Sequence, residues 1–247
     1  MKEQDNHDEN KLALDELLSP LKEQGILINA TVIEDRNFLH GARSVVQTLR
    51  GGAFRPNTLF LTMSADSGNG ASMGRSGRKS REQYPLSKKD EILKELVAVA
   101  TKYEMGVILL RQHPQMAFGI QQDVNLWLRD KSPNWNLAIL IALQLQLNWD
   151  GKINLITAAD EATSAQQSHD FLERLSDQAR LPSRTHFHVL SGSFKEALQL
   201  APRADINIFG LSLIGGELPL DFVRDVSDSV KSSCVFVIDS GQESALV

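Results

Sequence analysis

The chain has 247 residues and a formal net charge of −5, so it offers no basic field of the kind that attracts nucleic acid or anionic membranes. Its first ten residues are polar and acidic, and its longest apolar run, at residues 137–143, is far shorter than the roughly 20 residues that span a bilayer. We therefore expect neither a signal peptide nor a membrane span. The single cysteine, Cys234, excludes an internal disulfide and a Cys-rich zinc site, and its sequence position predicts a small apolar residue opening the last strand.

Hydrophobic spacing predicts alternating helices and strands in the first half of the chain. The first helix is expected to bend or end at Pro20 and to be closed by Gly25. The predicted helices are residues 11–24, 37–50 and 88–104, and the predicted strands are residues 26–33, 58–63 and 107–110.

Residues 64–87 interrupt this pattern. They are rich in Ser, Gly and Arg and have almost no aliphatic side chains, which predicts a mobile loop. Their glycines suggest a phosphate-binding loop, but Arg78 stands between Gly77 and Lys79 and breaks the required spacing. Two roles stay open for this loop: a passive tether, or a switch phosphorylated at serines beside basic residues. Those serines are Ser67, Ser72, Ser76, Ser80 and Ser87.

Residues 123–160 form the central unit of the predicted fold. A strand at residues 124–128 alternates apolar and polar side chains except at Trp127, so one face should be buried more deeply than the other. The helix at residues 134–148 is apolar on almost every side, which predicts cover on most of its surface. A second strand at residues 152–157 completes a strand-helix-strand unit with parallel strands.

The remaining segments repeat the plan of the first half. Helices are predicted at residues 164–180, 194–200 and 221–231, and strands at residues 186–190, 206–210 and 235–238. Residues 55–64 and 203–212 occupy matching places in the two halves. This order predicts an α/β protein with mostly parallel sheets flanked by helices. We divide it into a first subdomain at residues 1–115 and a second at residues 116–247.

In the first half of the chain, a Gly-Gly pair is followed by Asn-Thr before a strand. In the second half, an acidic residue enters a strand with a tryptophan, an Arg-Asp turn follows, an apolar helix ends in Gln and Trp, and a basic residue precedes an isoleucine strand. The residues at these places are Gly51, Gly52, Asn57, Thr58, Asp123, Trp127, Arg129, Asp130, Gln144, Trp149 and Lys152. Together these motifs resemble the cytoplasmic C-terminal domain of the cation-chloride cotransporters, the Na-K-Cl and K-Cl symporters. The resemblance extends over residues 26–208.

The resemblance implies two subdomains like the universal stress proteins. It also implies a non-catalytic domain that regulates ion symport, forms a homodimer, and works with the transmembrane domain of the same protein from the cytoplasmic side of the cell membrane. The alternative is a nucleotide-binding stress-type protein or a nucleotide-sensing domain, because this fold offers a crevice where the strand order reverses.

The residues themselves favour a turn over a nucleotide site in this crevice. Gly210, Gly215 and Gly216 depart from the glycine spacing of the nucleotide-binding stress proteins, Glu217 adds a negative charge, and no Gly-Ser precedes Asp221. If a nucleotide did bind, Asp130 and residues 210–212 would face it. We therefore predict no cofactor site.

The sequence predicts neither a metal centre nor a catalytic site. His186 and His188 share one face of a strand, but spacing suggests no third ligand, and the other histidines considered, His40, His113 and His169, have no recognisable partners. The aspartates at the ends of elements are expected to cap turns and helices, and the tryptophans to lie in the core or at the subdomain interface. These residues are Asp123, Asp130, Asp150, Asp160, Asp205, Trp127, Trp135 and Trp149.

Overall fold

A computed structural model describes residues 2–50, 55–63, 88–129, 134–159 and 165–245, with the side chains from residue 8 onward. The predicted loop at residues 64–87, the Gly51-Gly52 pair, Asp130 and Asp160 lie outside the described residues. The chain divides into two compact units, residues 1–54 and residues 55–247. None of the described helices is both long and apolar enough to cross a bilayer.

The first unit contains two helices, α1 (Lys2–Glu23) and α2 (Phe38–Arg50). Gly25 closes α1 as predicted, with a φ of 79° and its N–H bonded to the carbonyl of Lys22. Pro20 lies inside α1, which continues to Glu23. The strand predicted at residues 26–33 is wrong, since this segment has no regular secondary structure and belongs to no ladder among the described residues. Alternating apolar residues predict a strand only where another strand lies beside them.

The second unit is built on one seven-stranded sheet in the order β1-β2-β7-β6-β3-β4-β5. All neighbouring pairs are parallel except β2 and β7. The strands are β1 (Thr58–Thr62), β2 (Gly106–Arg111), β3 (Asp123–Trp127), β4 (Lys152–Ala159), β5 (Thr185–Ser191), β6 (Ile206–Gly210) and β7 (Ser233–Ile238). The helices are α3 (Lys88–Lys102), α4 (Trp135–Trp149), α5 (Ala165–Gln178), α6 (Phe194–Leu200) and α7 (Leu220–Ser229).

Helices cover both faces of this sheet. On one face α4 packs over β3, β4, β6 and β7, and α5 packs over β4 and β5. The core of this layer includes Leu126, Leu155 and Ile208 from the strands and Ile139 from α4. On the other face α3 packs over β1 and β2, α7 over β7, and α6 beside α7 and β5. The predicted α/β class with a mostly parallel sheet flanked by helices is confirmed.

The strands of both predicted subdomains join in this single sheet, where we had expected separate sheets. The joint is the antiparallel ladder of β2 and β7, in which Val107 faces Ile238 and Arg111 faces Cys234. Along the chain, the boundary between the compact units falls between residues 54 and 55, whereas the sequence analysis placed a subdomain boundary after residue 115. The predicted repeat is visible in the strand-helix-strand units β1-α3-β2 and β6-α7-β7, each a parallel pair with a crossover helix on the same face.

Candidate functional site

The strand order reverses between β3 and β6, which is where ligands bind in open α/β sheets. The chain leaves β3 and enters α4 at this edge, and it leaves β6 and β7 beside it. Backbone N–H groups at the start of α4 would be available to an anion here if nothing else used them.

The chain itself occupies these groups. Asp239, directly after β7, accepts hydrogen bonds from the N–H groups of Asn136 and Leu137 at 3.1 and 3.2 Å. Asn134, which is buried, donates to the carbonyl of Leu211 at 2.6 Å and accepts from the N–H of Asp239 at 3.1 Å. The exits of β6 and β7 are therefore tied to the start of α4, and a carboxylate of the chain takes the place of an external anion.

The glycines after β6 form a turn, as predicted. Leu211 continues the ladder by donating its N–H to Val237, and Ile214 and Glu217 exchange two backbone hydrogen bonds across the turn. Gly215 and Gly216 have φ values of 60° and 83°, which glycine adopts without steric cost.

Two carboxylates, those of Asp239 and Glu217, lie at this edge among the described residues. Burial raises the pKa of Asp239, although the helix N–H groups that it accepts oppose the shift. Glu217 forms an ion pair with Lys94 at 2.9 Å, which lowers the pKa of this glutamate. A nucleotide phosphate would therefore approach carboxylates at this edge. The geometry favours a closed structural joint over a nucleotide pocket.

A polar cavity of about 310 Å³ lies at the opposite edge of the sheet, where β2 ends and β7 begins. Arg111 lines it and forms an ion pair with Asp228 at 2.7 Å, and it also donates to the carbonyl of Arg224 at 3.1 Å. Since the charge of Arg111 is already matched by a carboxylate, the cavity does not select an anionic ligand.

A buried row of asparagines crosses the middle of the sheet towards this cavity. Asn125 of β3 lies opposite both Asn154 of β4 and Asn207 of β6. Asn154 donates to Asn125 at 2.9 Å, Asn125 donates to Asn207 at 3.1 Å, and Asn207 donates to Ser232 at 2.8 Å. Trp127 also donates to Asn207, at 2.9 Å. We name Asn154, Asn125, Asn207 and Ser232 the asparagine ladder.

Sequence reasoning missed the asparagine ladder because the alternation of β3 suggested a less buried polar face. Asn125 is only 1% exposed, and four of the five residues of β3 are buried. A signal was present: the strands read Asp-Val-Asn-Leu-Trp, Lys-Ile-Asn-Leu-Ile and Asp-Ile-Asn-Ile-Phe, with asparagine at the third position each time. Register then brings the three amides together in a common row.

Two histidines expected to be isolated have local partners. The ring of His40 lies 2.5 Å from Asp35, and this bond lowers the pKa of the aspartate. The ring of His113 accepts N–H bonds from Gln115 and Met116.

The remaining histidines lie on α5 and β5. His169 lies near Asp170 and Glu173, a set of ligand-type side chains that share one exposed turn of α5. Because residues three and four positions apart on a helix are neighbours whether or not a metal is bound, we assign no metal site to them. His186 and His188 lie on the edge strand β5, and their side chains share one face as predicted.

Asp150, Asp205 and the tryptophans have the structural roles predicted for them, whereas the side chain of Asp123 forms an ion pair with Lys152 at 3.5 Å. Asp205 accepts N–H bonds from Ile120, Gln122 and Asp123, and Asp150 ends α4 in a left-handed conformation. The rings of Trp127 and Phe209 stack with their centroids 5.6 Å apart. Trp135 and Trp149 pack against the core on the α4 side.

Comparison with family models decides the relationship. Residues 119–246 match the second of two models described as the prokaryotic cation-chloride cotransporter C-terminal domain, and residues 1–84 match the first. The chain belongs to this family. The resemblance found in the motifs is therefore confirmed for both halves of the cotransporter domain.

Solved structures agree with this assignment. The crystal structure of the cytoplasmic domain of a prokaryotic cation-chloride cotransporter is 29% identical, with a TM-score of 0.75, over 94% of this chain and 81% of that one. A universal stress protein from Archaeoglobus fulgidus is 13% identical, with a TM-score of 0.51, over 93% of this chain and 76% of that one.

A putative universal stress protein from Pseudomonas aeruginosa is 11% identical, with a TM-score of 0.54, over 92% of this chain and 77% of that one. At this identity the stress proteins share the fold alone, which the cotransporter domain was expected to have. No curated protein matches the chain.

Proposed function

We propose that this chain is the cytoplasmic, non-catalytic domain of a cation-chloride cotransporter of the Na-K-Cl type. It holds two transporters together as a homodimer and modulates ion symport by the transmembrane domain of the same protein. The observation that carries this proposal is the likeness to the cytoplasmic domain of a prokaryotic cotransporter along 94% of the chain.

A non-catalytic role agrees with the chemistry of the sheet edge. The backbone N–H groups that would cradle a phosphate there donate to side chains of the chain itself: those of Asn136 and Leu137 to Asp239, and that of Asp239 to Asn134. A domain closed in this way acts through the surfaces that it presents to other protein, and regulation then means a change in what those surfaces bind.

Flux measurements on the complete cotransporter test this proposal. We would reconstitute the cotransporter in vesicles with and without the region that corresponds to residues 1–247, and measure potassium influx that requires both sodium and chloride. We expect the truncated transporter to transport with altered rate or regulation and to run as a monomer in detergent. Unchanged flux together with an unchanged dimer would contradict the proposal, and potassium influx that is independent of sodium would contradict the Na-K-Cl type.

The proposed function includes a role for the predicted loop at residues 64–87. This loop serves either as a tether or as a phosphorylation switch. Its serines stand among Arg75, Arg78, Lys79 and Arg81, so a phosphate would replace a local positive field with negative charge. Deleting residues 67–81 from the complete transporter separates the two roles. Lost regulation with an unchanged melting temperature of the domain would identify a switch, whereas retained flux and regulation would identify a tether.

A further inference from the structure

Helix α4 has an uncovered apolar face, although its sequence is that of a buried helix. None of its 15 residues is charged. Its inner side packs into the core, but Leu140 and Leu147 are 36% and 68% exposed. These two leucines stand with Leu143 and Gln144 on one side of the helix, at the spacing that forms a single stripe. We call Leu140, Leu143, Gln144 and Leu147 the outer face of α4.

The sheet has an uncovered apolar surface on the same side as α4. Phe60 of β1 lies opposite Ile108 of β2, which in turn lies opposite Val237 of β7 beneath α4. Phe60 is 57% exposed, and Ile108 and Leu110 are half-buried. Of the helices described in residues 55–245, the one that packs over both β1 and β2 is α3, on the opposite face. We call Phe60, Ile108 and Leu110 the β1–β2 ledge.

The internal repeat indicates which kind of element can cover the ledge. In the matching unit β6-α7-β7, the places of Phe60, Ile108 and Leu110 are taken by Ile208, Val235 and Val237. All three of those residues are buried in the layer formed by α4. The β1–β2 ledge is therefore the repeat of a surface that a helix covers, and among the helices described in residues 55–245 none covers it.

We infer that the outer face of α4 packs on the β1–β2 ledge of a second copy of this chain. One molecule offers both a helix without cover and a surface that accepts a helix, so a two-fold axis between two copies satisfies both at once. Each α4 would then lie between two sheets, which explains why it carries no charged residue on any side. We assign the partner as a second copy because one chain carries both surfaces. Neither surface has a charged side chain, since α4 has none and β1 has none.

The size of this contact predicts a dimer of moderate strength. A 15-residue helix is about 22 Å long and about 10 Å wide, so helix and ledge together give a footprint of about 450 Å² per copy. A standard interface covers about 800 Å² per partner. We therefore expect the chain to pass from monomer to dimer as its concentration rises through the micromolar range.

This inference rests on the dimerisation in the proposed function. Sedimentation equilibrium of the whole chain tests separately whether the chain dimerises and whether it does so through the outer face of α4 and the β1–β2 ledge. Leu147→Asp and Phe60→Asp should each raise the dissociation constant by about a hundredfold, because two-fold symmetry places each change in the interface twice. Leu200→Asp is the matched control, since Leu200 is a leucine of α6 that is 64% exposed, and this variant should dimerise as the wild type does. A wild-type chain that stays monomeric would contradict the proposed dimerisation itself. A dimer that persists in both variants would overturn this interface and leave the dimer standing.

Cross-linking tests the packing directly. A chain carrying Leu147→Cys is mixed with a chain carrying Phe60→Cys under mild oxidation, with unchanged melting temperatures as the check on folding. The native Cys234 is buried and burial raises its pKa to about 12, so it stays unreactive. We expect the mixed disulfide to form fastest. Cross-links confined to chains of the same kind would overturn the contact between helix and ledge.

Discussion

Leu109 and Phe236 face each other in the antiparallel ladder of β2 and β7, and they hold the same place in the two repeats. Leu109 lies beside Leu61 of β1, and Phe236 lies beside Phe209 of β6. The sequence match of residues 55–64 with residues 203–212 equates Leu61 with Phe209. A local two-fold axis therefore passes through the pair of Leu109 and Phe236, and it relates β1-α3-β2 to β6-α7-β7.

Two ion pairs join α3 to α7 and to the turn that precedes α7. The guanidinium of Arg224 in α7 donates to both carboxylate oxygens of Asp90 in α3, each at 2.6 Å. The ammonium of Lys94 in α3 lies 2.9 Å from the carboxylate of Glu217. In each pair, an acidic residue of one repeat binds a basic residue of the other. The two pairs differ in burial, because Asp90 is buried and Glu217 is exposed.

The first prediction concerns these two pairs. Arg224→Ala removes the bidentate partner of a buried carboxylate, and we expect the free energy of unfolding to fall by about 3 kcal/mol. Lys94→Ala breaks the exposed pair and should cost clearly less, because solvent screens this pair. Urea denaturation at neutral pH measures both values. Equal losses for the two variants would contradict the distinction drawn from burial.

The second prediction concerns the asparagine ladder. Asn125→Ala removes the acceptor of Asn154 and the donor to Asn207 and to the carbonyl of Pro202. Because these groups stay buried, we expect a loss of about 3 kcal/mol in the free energy of unfolding. Asn148→Ala is the control, since this asparagine is exposed on α4 and bonds only locally to the carbonyl of Gln144. A loss below about 1 kcal/mol for Asn125→Ala would show that the amides rearrange.

Sequence patterns predicted the strands of the second unit well because each has a strong local signal. The hydrogen bond between Asn134 and Asp239 could not be predicted from the sequence. The two residues lie far apart in the chain and come together only when β7 and α4 are placed side by side. The strand expected at residues 26–33 failed for a related reason: alternation describes a segment, whereas a strand also needs a neighbour. The ends of elements at Gly25, Asp150 and Asp205 could be predicted because backbone conformation and capping act over a few residues.

The third prediction concerns acid stability. His188 lies on β5 with its Nε2 atom buried and without a hydrogen-bond partner among the described residues. Burial lowers the pKa of His188, and the nearby His186 and Lys152 lower it further. The unfolded chain therefore binds a proton at this residue more readily than the folded chain does. Stability is fully present above the ordinary histidine pKa of about 6.5 and falls as the pH drops below it.

His188→Gln should reduce this loss of stability on acidification. Denaturation midpoints in urea, measured above and below the ordinary histidine pKa, give the comparison. His186→Gln is the matched control, because His186 is exposed on the same strand face and should retain most of the wild-type pH dependence. If both variants lose stability as steeply as the wild type, His188 does not carry the effect.

The fourth prediction concerns the carboxylate at the start of α4. Asp239→Ala removes the acceptor of the Asn136 and Leu137 N–H groups, and loss of such a cap costs about 1 kcal/mol. It also leaves two N–H groups at a helix N-terminus, which is a favourable place for an anion. We therefore expect inorganic phosphate to raise the melting temperature of this variant more than that of the wild type.

The same measurement tests whether the wild-type edge is closed to nucleotides. A ligand at a hundred times its dissociation constant stabilises a protein by about 2.7 kcal/mol, so a site for ATP would be visible as a clear rise in melting temperature. With Asp239 bound to α4, we expect the wild type to show no rise in millimolar ATP. A rise in the wild type that Asp239→Ala leaves intact would place a nucleotide elsewhere in the chain. A rise that this substitution abolishes would mean that Asp239 helps to bind the nucleotide and does not exclude it.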